Sequence, residues 1–440
     1  MQSMKTIQRA MLASSLLGCI PAIAGTEAPT DAVAEAPSSN ATGLLVGKLT
    51  GDTAWDRAWS AFTLYKNDDN QILQEFSLQG RLQVQSIYGE SDGDSFNTSD
   101  YKGNAGSAND ENVWGNDIEA RRARLGFKSK WFQNWKLEGQ INVDNDGHDL
   151  TGDNTYYKDL YDLFITYTHS DALNIAAGKT KVKFTREQEI SSKEILTIER
   201  SLISNTLFPG ELTGAWVSGK GIQEHWLYEL GVYGNDRQRE FSDFNAGSIV
   251  LGKIGYDYSS QVGWDSAIAS FHYMHNSEPG FRETADLDYN GASESPRFTD
   301  SIALTNDISH GRFGLTTEAI YGFGYTGTAE QRGATANINQ SDVFGLTIIP
   351  SYYIAEGLQL VGRLQFATSS DPDGLQVPGR YERLVAGDNE KGNTYTSAYV
   401  GLNYYLYGHK LKLMNGIEYS HMGGGDYDGY TLMSGLRFSF

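Results

Sequence analysis

The sequence predicts an all-β chain: a transmembrane antiparallel barrel of about 16 strands with one long connection folded into it. Three observations predict it. From Glu75 onward, Phe76, Leu78, Gly80, Leu82 and Val84 interleave with Ser77, Gln79, Arg81, Gln83 and Gln85, the period of a strand with one apolar and one polar face. Short and long connections alternate strictly along the chain. No stretch carries the roughly 18 consecutive apolar residues of a membrane helix, so a membrane crossing falls to a closed barrel.

The chain begins with Lys5 and Arg9, then the apolar run Met11–Ile20, then Ala22-Ile23-Ala24 before Gly25. That is a cleavable signal peptide over residues 1–24. Leu16-Leu17-Gly18-Cys19 also has the form of a lipoprotein box, with the Ala24 site the cleaner of the two. Residues 25–70 read as a periplasmic acidic linker and a short amphipathic segment. Gly25–Gly43 is rich in Ala, Pro, Ser, Thr and acids, a composition that does not pack. Trp55, Trp59 and Phe62 then recur at helical spacing. This is expected to pack at the barrel rim, with a plug or a membrane-surface anchor as the sharper alternative.

Residues 71–440 make the barrel. Strands are expected near 75–88, 114–129, 135–145, 159–168, 173–183, 211–219, 223–235, 246–259, 262–276, 299–308, 312–325, 342–354, 357–368, 394–407, 410–421 and 430–440. Connections such as Trp131–Asn134, Ala355–Glu356 and Gly408–His409 are short. Glu90–Val113, Asn276–Thr299 and Ser369–Asn393 are long and acidic. Periplasmic turns on one rim and exposed loops on the other produce that alternation. Trp131, Trp135, Trp226 and Trp264 lie at the short turns, with Trp216 nearby, where an aromatic girdle is expected. The chain holds 49 Gly, 26 Tyr, 19 Phe, 9 Pro and one Cys, and its net charge is −20. So acidic a surface disfavours nucleic acid as a partner.

The segment from Gly178 to Gly214 is too long for a plain turn. It mixes Lys179, Lys181, Lys183, Arg186, Lys193 and Arg200 with Glu187, Glu189, Glu194 and Glu199. It is expected to enter the barrel and narrow it. Parity places Arg81, Arg122, Arg124, Lys128, Lys136, Arg363, Lys410, Lys412 and Arg437 on the lumen face, with Glu75, Glu138, Asp144 and Glu418. Arg121 has the opposite parity, so it needs a bulge or a subunit contact. Arg suits phosphate through its planar fork of donors. The Lys179–Lys183 run has outward parity, and lysines in lipid cost about 2–4 kcal/mol each. A bulge or early strand end near Gly178 is therefore expected to turn Lys181 inward. Asp144-x-Asp146-Gly147-x-Asp149 with Asp153 lacks the closing Glu of a calcium loop and reads as an acidic turn. No Ser-His-Asp, HExxH or P-loop pattern appears. His272 and His275 fall on opposite faces of one strand. No enzyme activity, cofactor or metal site is expected.

The chain resembles the phosphate-selective porin O and P family. The resemblance rests on Gln74–Gln83, on Arg121-Arg122-Ala123-Arg124-Leu125-Gly126 with Lys136-Leu137-Glu138, on Glu199-Arg200-Ser201-Leu202-Ile203 with Phe208-Pro209-Gly210, and on the terminal Phe440. It implies a trimeric outer-membrane barrel that passes phosphate or other small anions, with Arg81, Arg122, Arg124, Lys179, Lys181 and Arg200 as anion contacts. Glu211 stands where family members often carry Arg, and Phe184–Gly210 has three basic residues against four Glu. The alternatives are a general or weakly cation-preferring channel of the same fold and a non-channel structural or adhesive barrel. The expected partners are outer-membrane lipid and lipopolysaccharide, small anions and two further copies of the chain.

Overall fold

Sixteen antiparallel strands close on themselves. In the computed structural model they are β1 (Leu73–Ser91), β2 (Val113–Trp131), β3 (Trp135–Val143), β4 (Tyr157–Ser170), β5 (Leu173–Lys181), β6 (Glu211–Ile222), β7 (Trp226–Gly234) and β8 (Ser248–Asp257). The second half comprises β9 (Ser266–Asn276), β10 (Phe298–His310), β11 (Phe313–Gly324), β12 (Val343–Ala355), β13 (Leu358–Ser369), β14 (Thr394–Tyr407), β15 (Leu411–Gly423) and β16 (Tyr427–Ser439). The structure describes residues 52–91, 113–143, 157–244, 246–282, 294–331, 333–378, 382, 385, 390–425 and 427–440. The leader, the linker to residue 43 and the acidic turn at 144–153 lie outside them. Every strand pairs with its sequence neighbours, and β1 pairs with both β2 and β16. Closure removes the free edges that an open sheet of this size would expose.

Side-chain alternation decides what faces where. On β16, Tyr427, Thr431, Met433 and Arg437 are buried inside. Tyr430, Leu432, Leu436 and Phe438 form the outward row. Ile118, Leu125, Ile175, Leu230, Val232, Leu304, Leu364 and Val400 are among the exposed large apolar residues, which is the inverse of a soluble protein and fits a lipid-facing wall. Trp135, Trp226 and Trp264 sit exposed at the short-turn rim. Trp216 departs from the girdle expectation. It pairs across Gly231, shares the face opposite exposed Leu230 and Val232, and packs on buried lumen residues.

Helix α1 (Ala54–Ser60) lies at the turn rim against the closing seam. Thr53 and Asp56 form a capping box, worth about 1 kcal/mol. The apolar side meets the outward row of the last strands. Trp59 lies 5.0 Å from Tyr407 and 5.5 Å from Phe438, and Phe62 stacks on Phe440 at 3.8 Å. The Trp59 indole donates to the Ser439 carbonyl at 2.7 Å. A short strand, Thr63–Lys66, then pairs with Glu75–Ser77. It continues the edge of β1 beyond Gly80, where Phe440 ends the pairing of β16. This is the rim packing expected of the amphipathic segment.

Candidate functional site

The segment between β5 and β6 crosses the lumen and is fastened along its whole length. Two short helices organise it, α2 (Arg186–Glu189) and α3 (Leu202–Thr206). Phe184, Leu202, Ile203 and Leu207 are buried against Leu251, Met274, Ile320 and Val343 of the inner wall. Burying each such side chain is worth about 1.5–3 kcal/mol, which holds the loop to one side of the barrel.

Polar contacts fix its position on that wall. Arg186 donates to Asp307 of β10 at 2.6 and 3.1 Å. Glu318 of β11 accepts from the Arg186 and Glu187 amides, and Glu189 pairs with Lys253 of β8. Leu202 N donates to Gln365 of β13 at 2.8 Å. Further along, cations of the wall take backbone carbonyls of the loop. Lys412 Nζ donates to Ile195 O at 2.7 Å and Arg437 Nη2 to Ile198 O at 2.9 Å. Asn403 donates to Leu196 O at 2.8 Å and Gln83 to Ser192 O at 3.0 Å. Finally, Arg121 grips Glu199 through a fork of 2.6 and 3.2 Å. The register slips by one residue between Gln83 and Val84, and Arg121 is the extra residue. A bulge therefore turns it inward beside Arg122. The two sequence pieces that carried the resemblance meet in this ion pair.

These polar contacts spare β3–β7, the wall on the other side of the lumen, from which Leu212 and Tyr233 join the loop's apolar cluster and Trp216 packs against it. The expected site residues divide accordingly. Arg122 donates to Gln83 Oε1 at 2.8 Å. Arg124 donates to Asn142 at 2.7 Å and lies 3.3 Å from the Tyr161 ring centroid. Arg81 donates to the Ser191 and Ser192 hydroxyls. Arg200 donates to the carbonyls of Glu187 and Ile190, each at 2.7 Å. The β5 strand ends at Lys181, three residues after Gly178, whose φ of 134° only glycine adopts freely. Lys181 Nζ then lies 3.5 Å from Ile190 O and 6.0 Å from the Phe208 ring, against the loop. Arg81, Arg122, Arg124, Arg200 and Lys181 thus gather around the constriction, each bonded to neutral partners.

The others are placed differently. Lys128 is half-exposed in the lumen and paired with Glu138 at 3.1 Å. Lys179 donates to the carbonyls of Gln238 and Arg239 at 2.8 and 3.1 Å, so it secures an outer loop. Arg186 is an anchor of α2. Arg363 is 2% exposed, with both Glu418 oxygens at 2.9 Å and the Glu199 carbonyl beside it; the loop covers it. Parity located its face but had no means of showing what lay in front. Lys412 and Arg437 are covered in the same way. Sequence reading missed Arg237, which donates to the carbonyls of Phe208 and Pro209 and clamps the loop's exit; nothing in its local sequence signals this.

A model of the phosphate-selective porin O and P family matches residues 97–427. The chain belongs to that family. Solved structures agree on the fold. OmpF of Salmonella typhi aligns with TM-score 0.51 at 14% identity, covering 86% of this chain and all of that one (100%). A loop-deletion mutant of OmpT from Vibrio cholerae gives 0.50 at 11% identity, covering 83% and 99%. The outer-membrane channel DcaP of Acinetobacter baumannii gives 0.47 at 16% identity, covering 86% and 99%. A sequence comparison with curated proteins finds no match. The chain is an outer-membrane porin of Gram-negative type.

Proposed function

We propose that the chain is a passive diffusion channel that prefers small anions, phosphate among them. One observation carries this. Arg81, Arg122, Arg124 and Arg200 present guanidinium groups at the constriction whose hydrogen bonds run to neutral oxygens and not to carboxylates, and Lys181 lies beside them against the Ile190 carbonyl. Three of the four loop acids face fixed cations instead: Glu187 lies 3.9 Å from Arg363, Glu189 pairs with Lys253 and Glu199 with Arg121. The loop's formal acidity is therefore not what a passing ion meets. In a narrow pore a few fixed charges outweigh the net charge of the protein, and guanidinium forks match phosphate oxygens.

A second reading has its own support. Glu138, Asp162 and Glu229 stand on the inward rows of the facing wall. Were their field to dominate, the pore would prefer cations. The reversal potential of the purified protein in a KCl gradient decides by its sign, and phosphate block of the chloride current tests the anion site directly. Absence of any conductance step would overturn both.

The same proposal includes a homotrimer, removal of Met1–Ala24 on export, and lipid and lipopolysaccharide around the outer wall. A trimer wall is supported by a polar row in the lipid-facing surface of the seam, where Ser434 donates to Asn415 at 2.8 Å beside outward Ser86. An intact-mass measurement starting at Gly25 tests the cleavage.

A further inference from the structure

The open wall also carries aromatic rings that the charges do not explain. Phe164 of β4, Trp216 of β6 and Tyr233 of β7 all face inward, opposite lipid-facing Ile165, Leu230 and Val232. The Trp216 ring lies 5.5 Å from Phe164 and 6.1 Å from Tyr233, the latter pair 25° from parallel. The backbone is shaped for them. Phe164 pairs with Gly178, Gly178 with Gly214, Gly214 with Tyr233, and Trp216 with Gly231. A Cβ at Gly214 or Gly231 would come within 2.5 or 2.6 Å of the Tyr233 ring. Without those side chains the rings lie back against the wall. Tyr233 is 2% exposed, whereas Phe164 and Trp216 keep part of their surface open.

The strip also adjoins the basic cluster. Phe164 follows Asp162 on the same inward row, and the bulged Tyr161 beside it holds the Arg124 guanidinium over its ring. Lys181 lies three residues from Gly178, within electrostatic reach of Arg122, Arg124 and Arg200. Tyr233 joins the loop's buried apolar cluster and Trp216 packs against it, which leaves Phe164 and the open part of Trp216 as ring surface that the loop does not use. A ring surface next to a basic cluster whose guanidinium groups outnumber the nearby Asp162 carboxylate complements a solute with a flat apolar body and a negative group.

We propose that this strip is a subsite for aromatic carboxylates, the ring against Trp216 and Phe164 and the carboxylate toward Arg124. It rests on the channel reading above and adds a solute class to it. Benzoate and acetate carry the same charge and differ in the ring, so their block of the chloride current in planar bilayers isolates it. The wild type should be half-blocked by benzoate at a concentration about tenfold below that for acetate, the factor that one ring contact supplies. In Trp216→Ala and in Phe164→Leu the two acids should block within about twofold of each other, each variant being normalised to its own chloride step. If Trp216→Ala fails to assemble, by heat-modifiable migration, Phe164→Leu carries the test. Equal block by both acids in the wild type, or a tenfold difference kept in Phe164→Leu, overturns the subsite while leaving the channel intact. A wild type without chloride steps removes both readings together.

Discussion

Arginine does two jobs in this lumen, and the partner atoms tell them apart. Arg122 and Arg124 alternate on β2, so their side chains stand roughly 7 Å apart along it, bonded to amide oxygens. Replacing both by Ala should lower anion-over-cation permeability while assembly persists. Reversal potentials and phosphate block unchanged from wild type would make the pair structural. Arg363 is the opposite case. Its partner Glu418 is 3% exposed and also accepts from Gln365 and Ser397 at 2.8 and 2.7 Å. Arg363→Met would leave that carboxylate buried without its counter-charge, a loss of about 3–5 kcal/mol. The expected result is a lower unfolding temperature and a noisier open channel as the loop loosens, with little change in ion preference. A variant with normal stability and altered selectivity would reverse the assignment. These two roles were indistinguishable from the sequence, because alternation reports the face of a strand and not what covers it.

At the scale of elements, the strands were legible because one face of nearly every strand meets lipid and the other meets polar side chains. The period-two signal was strong, and all sixteen stand where it placed them. It is weakest on β6, where Leu212, Ala215, Trp216 and Val217 are apolar on both faces and the register slips between Gly219 and Ile222. The apolar loop packing and the ring strip both demand that, and neither is local. Helix α1 was legible from Trp55, Trp59 and Phe62, though its dock on the C-terminal strand was not. Trp59→Ala removes three ring contacts, to Trp55, Tyr407 and Phe438, and an indole hydrogen bond from a half-buried site, for about 2 kcal/mol. Heat-modifiable electrophoresis should show the barrel melting earlier, and an unchanged transition would mean that α1 is merely resting there. The dock also has a pH limit. Asp56 accepts from Thr53 and from the Tyr407 hydroxyl, and these bonds hold its carboxyl below the ordinary aspartate value of 3.8. A lowered carboxylate contributes stability above that value and loses it as pH falls through the folded one. Trp fluorescence should therefore be flat from pH 7 to about 5 and change only below about 4. A transition near pH 6 would point to a different group.

For the molecule as a whole, the outer wall is mostly apolar, and a polar row near the closing seam carries the prediction about assembly. Ser434 and Asn415 bond to each other on the lipid side, with Ser86 opposite Ser434 and with Ala120 and Ala123 on the neighbouring outward row of β2. In hydrocarbon, polar groups of this kind are stabilised by a partner that meets their remaining donors and acceptors. Small side chains let a second wall approach closely. No comparable need exists on β7, where Leu230 and Val232 stand 53% and 51% exposed. The seam wall of β15, β16, β1 and β2 is thus the surface expected to meet another copy. Ser434→Trp places a ring in the middle of that contact. It should convert the unheated native-electrophoresis band from trimer to monomer while the monomer keeps its heat-modifiable barrel. Val232→Trp, an equal bulk facing lipid on the far side, should leave the trimer band in place. If Ser434→Trp remains trimeric, the seam faces lipid and the interface lies elsewhere; if the wild type itself migrates as a monomer, the trimer is wrong and the polar row must be satisfied within one barrel.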